Sequence, residues 1–373
     1  MTWTTESLAS RTLNLDSRRV PVRSVDRVAG PYPYYGASGV VDYVDDYLFD
    51  GLHLLVAEDG ENLRSRKTPI AFLADGRFWV NNHAHILRGN EANDTRFLSY
   101  ALEATDVNGF LSGSTQPKLT QRALAMIPVT APDLAEQVGI ASALGALDGR
   151  IAANSRVVKV AADVLDAEIG LIEPTLPLVP LGELCTTVRS TVVPRSLGSD
   201  IVDHFSLPAF DSGARPDRVA GESIMSAKVQ LTEPTVLVSR LNPRFNRTWW
   251  AIPAAGVPAV ASTEFSCLIA NADSSQHQLW LSVRSGAFID ELPRRVTGTS
   301  GSHQRVRPAD VLSIAVPDTR EISDEIRLRA ESTLALIHSR RQENAELIRV
   351  RESLIPDLLE GVVRVPESQG LQA

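Results

Sequence analysis

Cysteine is scarce in this chain. Cys185 and Cys267 are the two among 373 residues, too few for the disulfide framework on which a small secreted domain relies. No N-terminal run joins a basic start to an apolar core of signal-peptide type. Nowhere do about 18 apolar residues follow one another, as a membrane span requires. These absences lead to an expectation of a cytoplasmic protein with no membrane partner. Nucleotide loops are missing too. No two glycines lie two apart, which removes any G-x-G turn, and neither G-x-x-x-x-G-K-[ST] nor G-x-S-x-G occurs.

What is present is a globular composition, 43% apolar, in a length that allows two or three domains. The net charge of −8 argues on its face against a nucleic-acid partner, but the charge is unevenly spread. Residues 133–174 carry 3 basic and 7 acidic side chains and residues 318–373 carry 8 and 11, whereas 1–132 carry 13 and 15 and 175–317 carry 13 and 12. Most of the excess acid therefore lies in two short segments, and the two larger segments are near neutral and rich in arginine.

Both acidic segments follow a repeated pattern. "GSTQPKLTQRAL" begins at Gly113 and "GSHQRVRPADVL" at Gly301, and each runs on to Pro-Asp, at Pro132-Asp133 and Pro317-Asp318. After the first copy a seam at spacings of three and four runs through Leu144, Leu147, Ile151, Asn154, Val158, Ala161 and Leu165, and on to Ile172. After the second, Ile326, Ala330, Thr333, Ile337, Asn344, Leu347, Leu354 and Leu358 keep similar spacing, interrupted by Arg340 and Arg351. Such a seam predicts two helices of about 40 residues, roughly 60 Å each, with Asp133 and Asp318 at their starts. Helices of that length need a partner, and each other is the nearest. Asn154 and Asn344 would fix their register.

The larger segments repeat more loosely. "LHLLVAEDGENL" and "EPTVLVSRLNPRF" each place an apolar strand before an abrupt polar turn, and Val56 and Val238 lie 182 residues apart. "WVNNHAHIL" and "VASTEFSCLI" read as the strands that follow, and "PYPYYGASG" and "LPAFDSGARP" as matching turns. The resulting fold class is α+β: two mixed α/β domains in tandem, each followed by a long helix, the helices pairing as an antiparallel coiled coil with pseudo-twofold symmetry. The expected boundaries are 1–132, helix 133–174, 175–317, helix 318–360 and a tail from 361 to 373.

At "PYPYYGASGVVDYVDDYLFDG", "LLVAEDGENL", "FWVNNHAHIL", "GSTQPKLTQ", "PAFDSGARP" and "VLVSRLNPRFNRTW" the chain resembles the specificity subunits of type I restriction-modification systems over nearly its whole length. One departure stands out. The second domain opens with "LGEL", while the first has "ESLASRTLNL", so its opening strand is expected to be truncated or completed by the tail "EGVVRVPE". The resemblance implies a DNA-reading subunit without chemistry or cofactor of its own. It implies double-stranded DNA, two modification (methyltransferase) subunits and restriction (motor-nuclease) subunits as partners, with S-adenosylmethionine, ATP and Mg held by those partners.

Other chemistries are weaker on the residues. Asn242-Pro243-Arg244-Phe245 is near the Asn-Pro-Pro-Phe motif of amino-methyltransferases but lacks its second proline and any cofactor loop. His83 and His85 alternate along an expected strand and would point the same way, yet show no third or fourth ligand. The carboxylates from Asp42 to Glu61 read as solvated strand ends. Arginine and lysine suit phosphate and guanine, and asparagine and glutamine suit adenine. The expected DNA contacts are therefore Tyr34, Tyr35, Arg64, Arg66, Lys67, Asn82, Gln116, Lys118 and Arg122 in the first domain. In the second they are Arg195, Arg215, Lys228, Arg244, Arg247, Gln304, Arg305 and Arg307. Gly113 and Gly301 read as turn formers. The competing classes are a non-DNA interaction protein with two binding modules on a coiled-coil spacer and a self-contained DNA methyltransferase.

Overall fold

The five residues His53–Ala57 are buried throughout, and this central strand organises the first half of the chain. In the computed structural model, which describes residues 3–113, 115–198, 200–297 and 304–365, it pairs antiparallel with Ala71–Ala74 on one side and Ala84–Gly89 on the other. Thr12–Asn14 lies outside the latter. The apolar run does not alternate with polar residues because both faces are covered. Leu54 and Val56 meet Phe97 and Leu98 of the helix Thr95–Ala104, while Leu55 meets Phe49, Phe78 and Val80. The helix begins where the Asp94 carboxylate accepts the Phe97 N–H at 2.8 Å. A smaller sheet joins the hairpin of Ala29–Gly36 and Gly39–Val44 to Trp79–Val80.

The second half builds the same plan from different residues. Thr235–Ser239 is the buried central strand, flanked by Thr248–Ala251 and Phe265–Ala270, with Cys185–Thr187 outside. Val236 faces Leu268 as Leu54 faces Leu87, and Val238 faces Ser266 as Val56 faces His85. The following helix, Gln276–Arg284, opens with a capping box between Ser275 and Gln278. Its smaller sheet is larger than that of the first half, with five strands against three.

Three sequence expectations need correction. "WVNNHAHIL" and "VASTEFSCLI" are not single strands. Each string crosses from one sheet to the other, through Trp79–Val80 to Ala84–Gly89 and through Ala259–Ala261 to Phe265–Ala270. "PYPYYGASG" and "LPAFDSGARP" do not match, since the first is a strand entering a hairpin and the second a short helix, Leu207–Asp211. Nor is the opening strand of the first module truncated. Thr4–Ser7 pairs with Pro128–Ala131 and leads into the helical turn Leu8–Arg11, as Leu178–Pro180 pairs with Ala315–Pro317 and leads into Leu181–Leu184. The tail contributes as well, with Val365 against Gly139.

Two long helices, Leu134–Ile172 and Asp324–Leu359, complete the fold. The chain divides into two compact units, Met1–Ile151 with Glu346–Ala373, and Ala152–Ala345. In the first unit the start of the earlier helix shares a core with the end of the later one, through Ile140 and Leu144 with Leu354 and Leu358. In the second unit Ala161, Leu165 and Ile169 share a core with Ala330, Leu334 and Ile337. The helices thus pair antiparallel within each unit.

Cross-helix ion pairs accompany the seam: Arg351 lies 2.7 Å from Asp148, and Arg329 lies 2.7 Å from Glu168. Asn154 is buried in the seam and its Nδ2 meets no hydrogen-bond acceptor among the described residues, while Asn344 Nδ2 donates to Ser155 Oγ at 3.1 Å. Leu147, Ile151, Val158, Ile326, Leu347 and Leu354 are half-buried at its margins.

Asp133 does cap the earlier helix, accepting the Glu136 N–H at 3.0 Å. Asp318 does not cap the later one. Its carboxylate takes the Arg320 N–H and guanidinium in a preceding 3-10 turn, and Ser323 stands at the helix start instead.

Candidate nucleic-acid interface

The repeated polar stretch has the same structural task in both halves: it clamps the turn that leaves the buried central strand. In the first, Gly60 N–H donates to Pro117 O at 3.1 Å and Leu119 N–H to Glu58 O at 2.8 Å. In the second, Asn242 N–H donates to Gln304 O at 2.9 Å and Val306 N–H to Arg240 O at 3.0 Å. Lys118 then bridges to Ser112, and Arg305 to Thr297. Gly113 permits the first hairpin. Its φ is +84°, and a Cβ there would stand 2.3 Å from Gln116 O. Gly301 lies outside the described residues.

The clamp gathers cations from distant parts of the sequence. Arg64 reaches back to donate to Gly113 O at 2.8 Å, beside a hairpin that exposes Gln116 and Lys118. Lys118 Nζ lies 3.2 Å from Glu58. In the second module Arg305 forks onto Glu264 at 3.0 and 2.7 Å. Arg247 forks onto Asp211 at 2.7 and 3.0 Å, and Arg244 is exposed on the same loop. Lys118 and Arg305 therefore hold equivalent places, each exposed and each leaning on one carboxylate. Lys67, Asn82, Arg122 and Arg307 are exposed as well, and Gln304 is half-buried. Arg195 and Arg215 are exposed on other loops of the second module.

Three expected contacts are instead occupied within the fold. Tyr34 is 1% exposed, its hydroxyl accepts the Val22 N–H at 3.0 Å, and the Arg27 guanidinium lies 4.4 Å from its ring centroid. Lys228 is 8% exposed and donates to Ser226 O at 3.1 Å, with burial drawing its pKa down. Arg66, at φ 49°, donates to Glu103 O and Thr105 O. Tyr35 is half-buried against Phe72 and Phe78.

His83 and His85 do not face the same way. His83 is exposed and meets Asp59 at 2.8 Å. His85 is 1% exposed, with Nδ1 2.6 Å from Asp16 Oδ2 and Nε2 2.7 Å from Leu119 O. It thereby ties the copied stretch to the sheet.

Among the described residues no group of three or more His, Cys, Asp or Glu side chains is placed to hold a metal. Burial works against the ionised form of Asp16, but hydrogen bonds from His85 and the Ile86 N–H and the charges of His85 and Arg19 outweigh it and hold the carboxyl below its ordinary value. Asp16→Ala should destabilise the full chain by about 3 kcal/mol, the cost of leaving buried partners unmatched. A carboxyl with a lowered folded pKa stabilises above its unfolded value near 4, and this contribution fades as pH falls through the folded value. Urea midpoints should therefore separate wild type from Asp16→Ala at pH 7 and converge as pH drops below about 4. A gap independent of pH would show that the carboxylate charge is not its source.

Sequence reasoning missed two features of this face. The Asn242 turn, at φ 48°, left no signal beyond the Asn-Pro pair. Phe245, 51% exposed, has no sequence signal beyond its place at the end of Asn242-Pro243-Arg244-Phe245.

Comparison with known proteins agrees with this architecture. Residues 13–158 match the type I restriction modification DNA specificity domain family. A type I restriction enzyme specificity subunit of Haemophilus influenzae, S.HindORF215P, is 40% identical over 133 residues, 36% of this chain and 34% of that protein. The EcoprrI specificity subunit of Escherichia coli is 28% identical over 120 residues, 31% of this chain and 28% of that one. The chain thus spans about a third of the length of the curated relatives it matches. Its fold is similar to the solved S subunit of a type I restriction-modification system from M. genitalium, with a TM-score of 0.65 at 14% identity over 96% of both chains. No described helix is long and apolar enough to cross a membrane. Residues 13–158 are thus similar to the type I restriction modification DNA specificity domain, and the fold of the chain resembles that of the solved M. genitalium S subunit.

Proposed function

We propose that this chain is the sequence-reading subunit of a type I restriction-modification complex, in which residues 1–132 and 175–317 each read one half of a bipartite, asymmetric DNA site. The observation that carries the proposal is the repeated clamp, which presents Lys118 and Arg305 at equivalent places. A duplex offers equivalent approaches to two similar surfaces. Loops that differ around a shared frame would read different bases. Arg64, Lys67, Gln116, Lys118 and Arg122 serve the first half-site, and Arg244, Arg247, Gln304, Arg305 and Arg307 the second. The helices 133–174 and 318–360 set the unread spacer between them, and the tail 361–373 follows.

The chain itself performs no chemistry in this proposal. Two modification subunits bring S-adenosylmethionine and methylate adenine, and restriction subunits bring ATP and Mg. The helix pair of the second unit supports such docking. Val157, Val160 and Val164 are 39%, 60% and 49% exposed on one stripe of the earlier helix, and the first two line an open apolar groove with Thr333 and Leu336 of the later one. A stripe of that kind suits a partner's helix.

The test is a salt titration of the full chain on random duplex DNA. Log affinity should fall linearly with log salt, at a slope of about −0.9 for each phosphate neutralised. Binding that ignores salt, or no binding at low salt, would favour a protein or glycan partner for the two modules.

A further inference from the structure

Phe245 leaves about half its surface in water, in a chain where 6% of residues are aromatic and where the nearby rings of Phe205, Trp249 and Phe265 are buried. An apolar ring so placed forgoes part of the stabilisation that its burial would contribute. Its position is fixed rather than loose. Asn242, in the left-handed region at φ 48°, donates its N–H to Gln304 O at 2.9 Å, and the Phe245 N–H closes the turn on Asn242 O at 3.0 Å. Pro243 between them is buried. The guanidinium carbons of Arg244 and Arg247 lie 4.8 and 5.2 Å from the ring centroid, and Asp211 anchors Arg247.

A ring held on a rigid turn between two cations matches a surface on which apolar base faces or edges lie between phosphates. The corresponding turn of the first module, "EDGENLRSRKT" at 58–68, contains no aromatic residue.

We propose that Phe245 is a specificity-determining residue of the second module, making apolar contact with a base of that module's half-site. This rests on the DNA-reading function proposed above. Arg244 meets a phosphate beside it, while Arg247, held by Asp211, keeps the ring in place. The apolar surface comes either from a thymine methyl in an intact stack or from a base face opened at an unstacked step.

The experiment selects from a random duplex library with the full wild-type chain, Phe245→Ala and Phe245→Leu. Wild type should enrich a two-part motif. Phe245→Ala should lose the preference at one position in one half only and bind the wild-type motif about tenfold more weakly, equivalent to about 1.4 kcal/mol. Phe245→Leu should recover part of that loss, and the melting temperature of both variants should be unchanged.

Deoxyuridine in place of thymidine at the affected position should reduce wild-type affinity to the Phe245→Ala level if the methyl is the contact. A rise in 2-aminopurine fluorescence at that step should appear if the base is unstacked. Neither response, or an unchanged motif with Phe245→Ala, or a loss equal on all duplexes, would overturn the assignment. A wild-type chain that enriches no motif would instead remove the DNA-reading function and this inference with it.

Discussion

Four residues inserted between Ala162 and Asp163, with four more between Arg341 and Gln342, should widen the unread spacer of the methylated motif by one or two base pairs. Both insertions fall inside the long helices Leu134–Ile172 and Asp324–Leu359, and each adds about 6 Å at 1.5 Å per residue. Four residues exceed one helical turn by only about 40°, and the seam accommodates such a step as a stutter. The inserted turn enters beside Ala161, Leu165 and Ile337, whose apolar contacts must re-form one turn along. Apolar insertions at the seam positions are therefore required. At about 3.4 Å per base pair, the translation corresponds to one or two added positions. Both half-sites should keep their bases. A motif with its original spacer and full modification would show that helix length does not set the distance.

The helix pair was legible because burial on one stripe leaves a period of 3.6 in the sequence, and Leu144, Leu165, Ile337 and Leu358 carry it unmistakably. The central strands were legible for a different reason: runs such as "LHLLVA" have no polar face. Boundaries and burial were less so. Asp318 carries the usual signature of a helix cap, yet its carboxylate is captured by Arg320, and no rule of local sequence favours Ser323 over it. Leu334, among the most buried seam residues, stands one position beyond Thr333, where the three-and-four spacing falls.

Tyr34 and Lys228 show the limit of choosing contacts by residue type. Each has the chemistry for DNA, but alternation along a strand does not say which face a second layer covers. Tyr34 lies beneath Arg27 and Val22. The purpose of the repeat was also hidden. Its partners, Glu58 to Gly60 and Arg240 to Asn242, lie about 60 residues earlier in each module, and only the hydrogen bonds of the fold join them.

The most direct test of modular reading is to exchange residues 175–317 for the corresponding domain of another specificity subunit and to map the methylated bases in a host that also makes the modification subunit. The exchange keeps the clamp of the first module, from Glu58 to Leu119, and both long helices. It replaces Arg244, Phe245, Arg247, Arg305 and Arg307 together with their supporting carboxylates Asp211 and Glu264. Methylome sequencing should find a two-part motif in which one half is replaced, with the other half and the spacer unchanged. A motif altered in both halves, or one continuous motif without a spacer, would contradict the assignment of one half-site to each module.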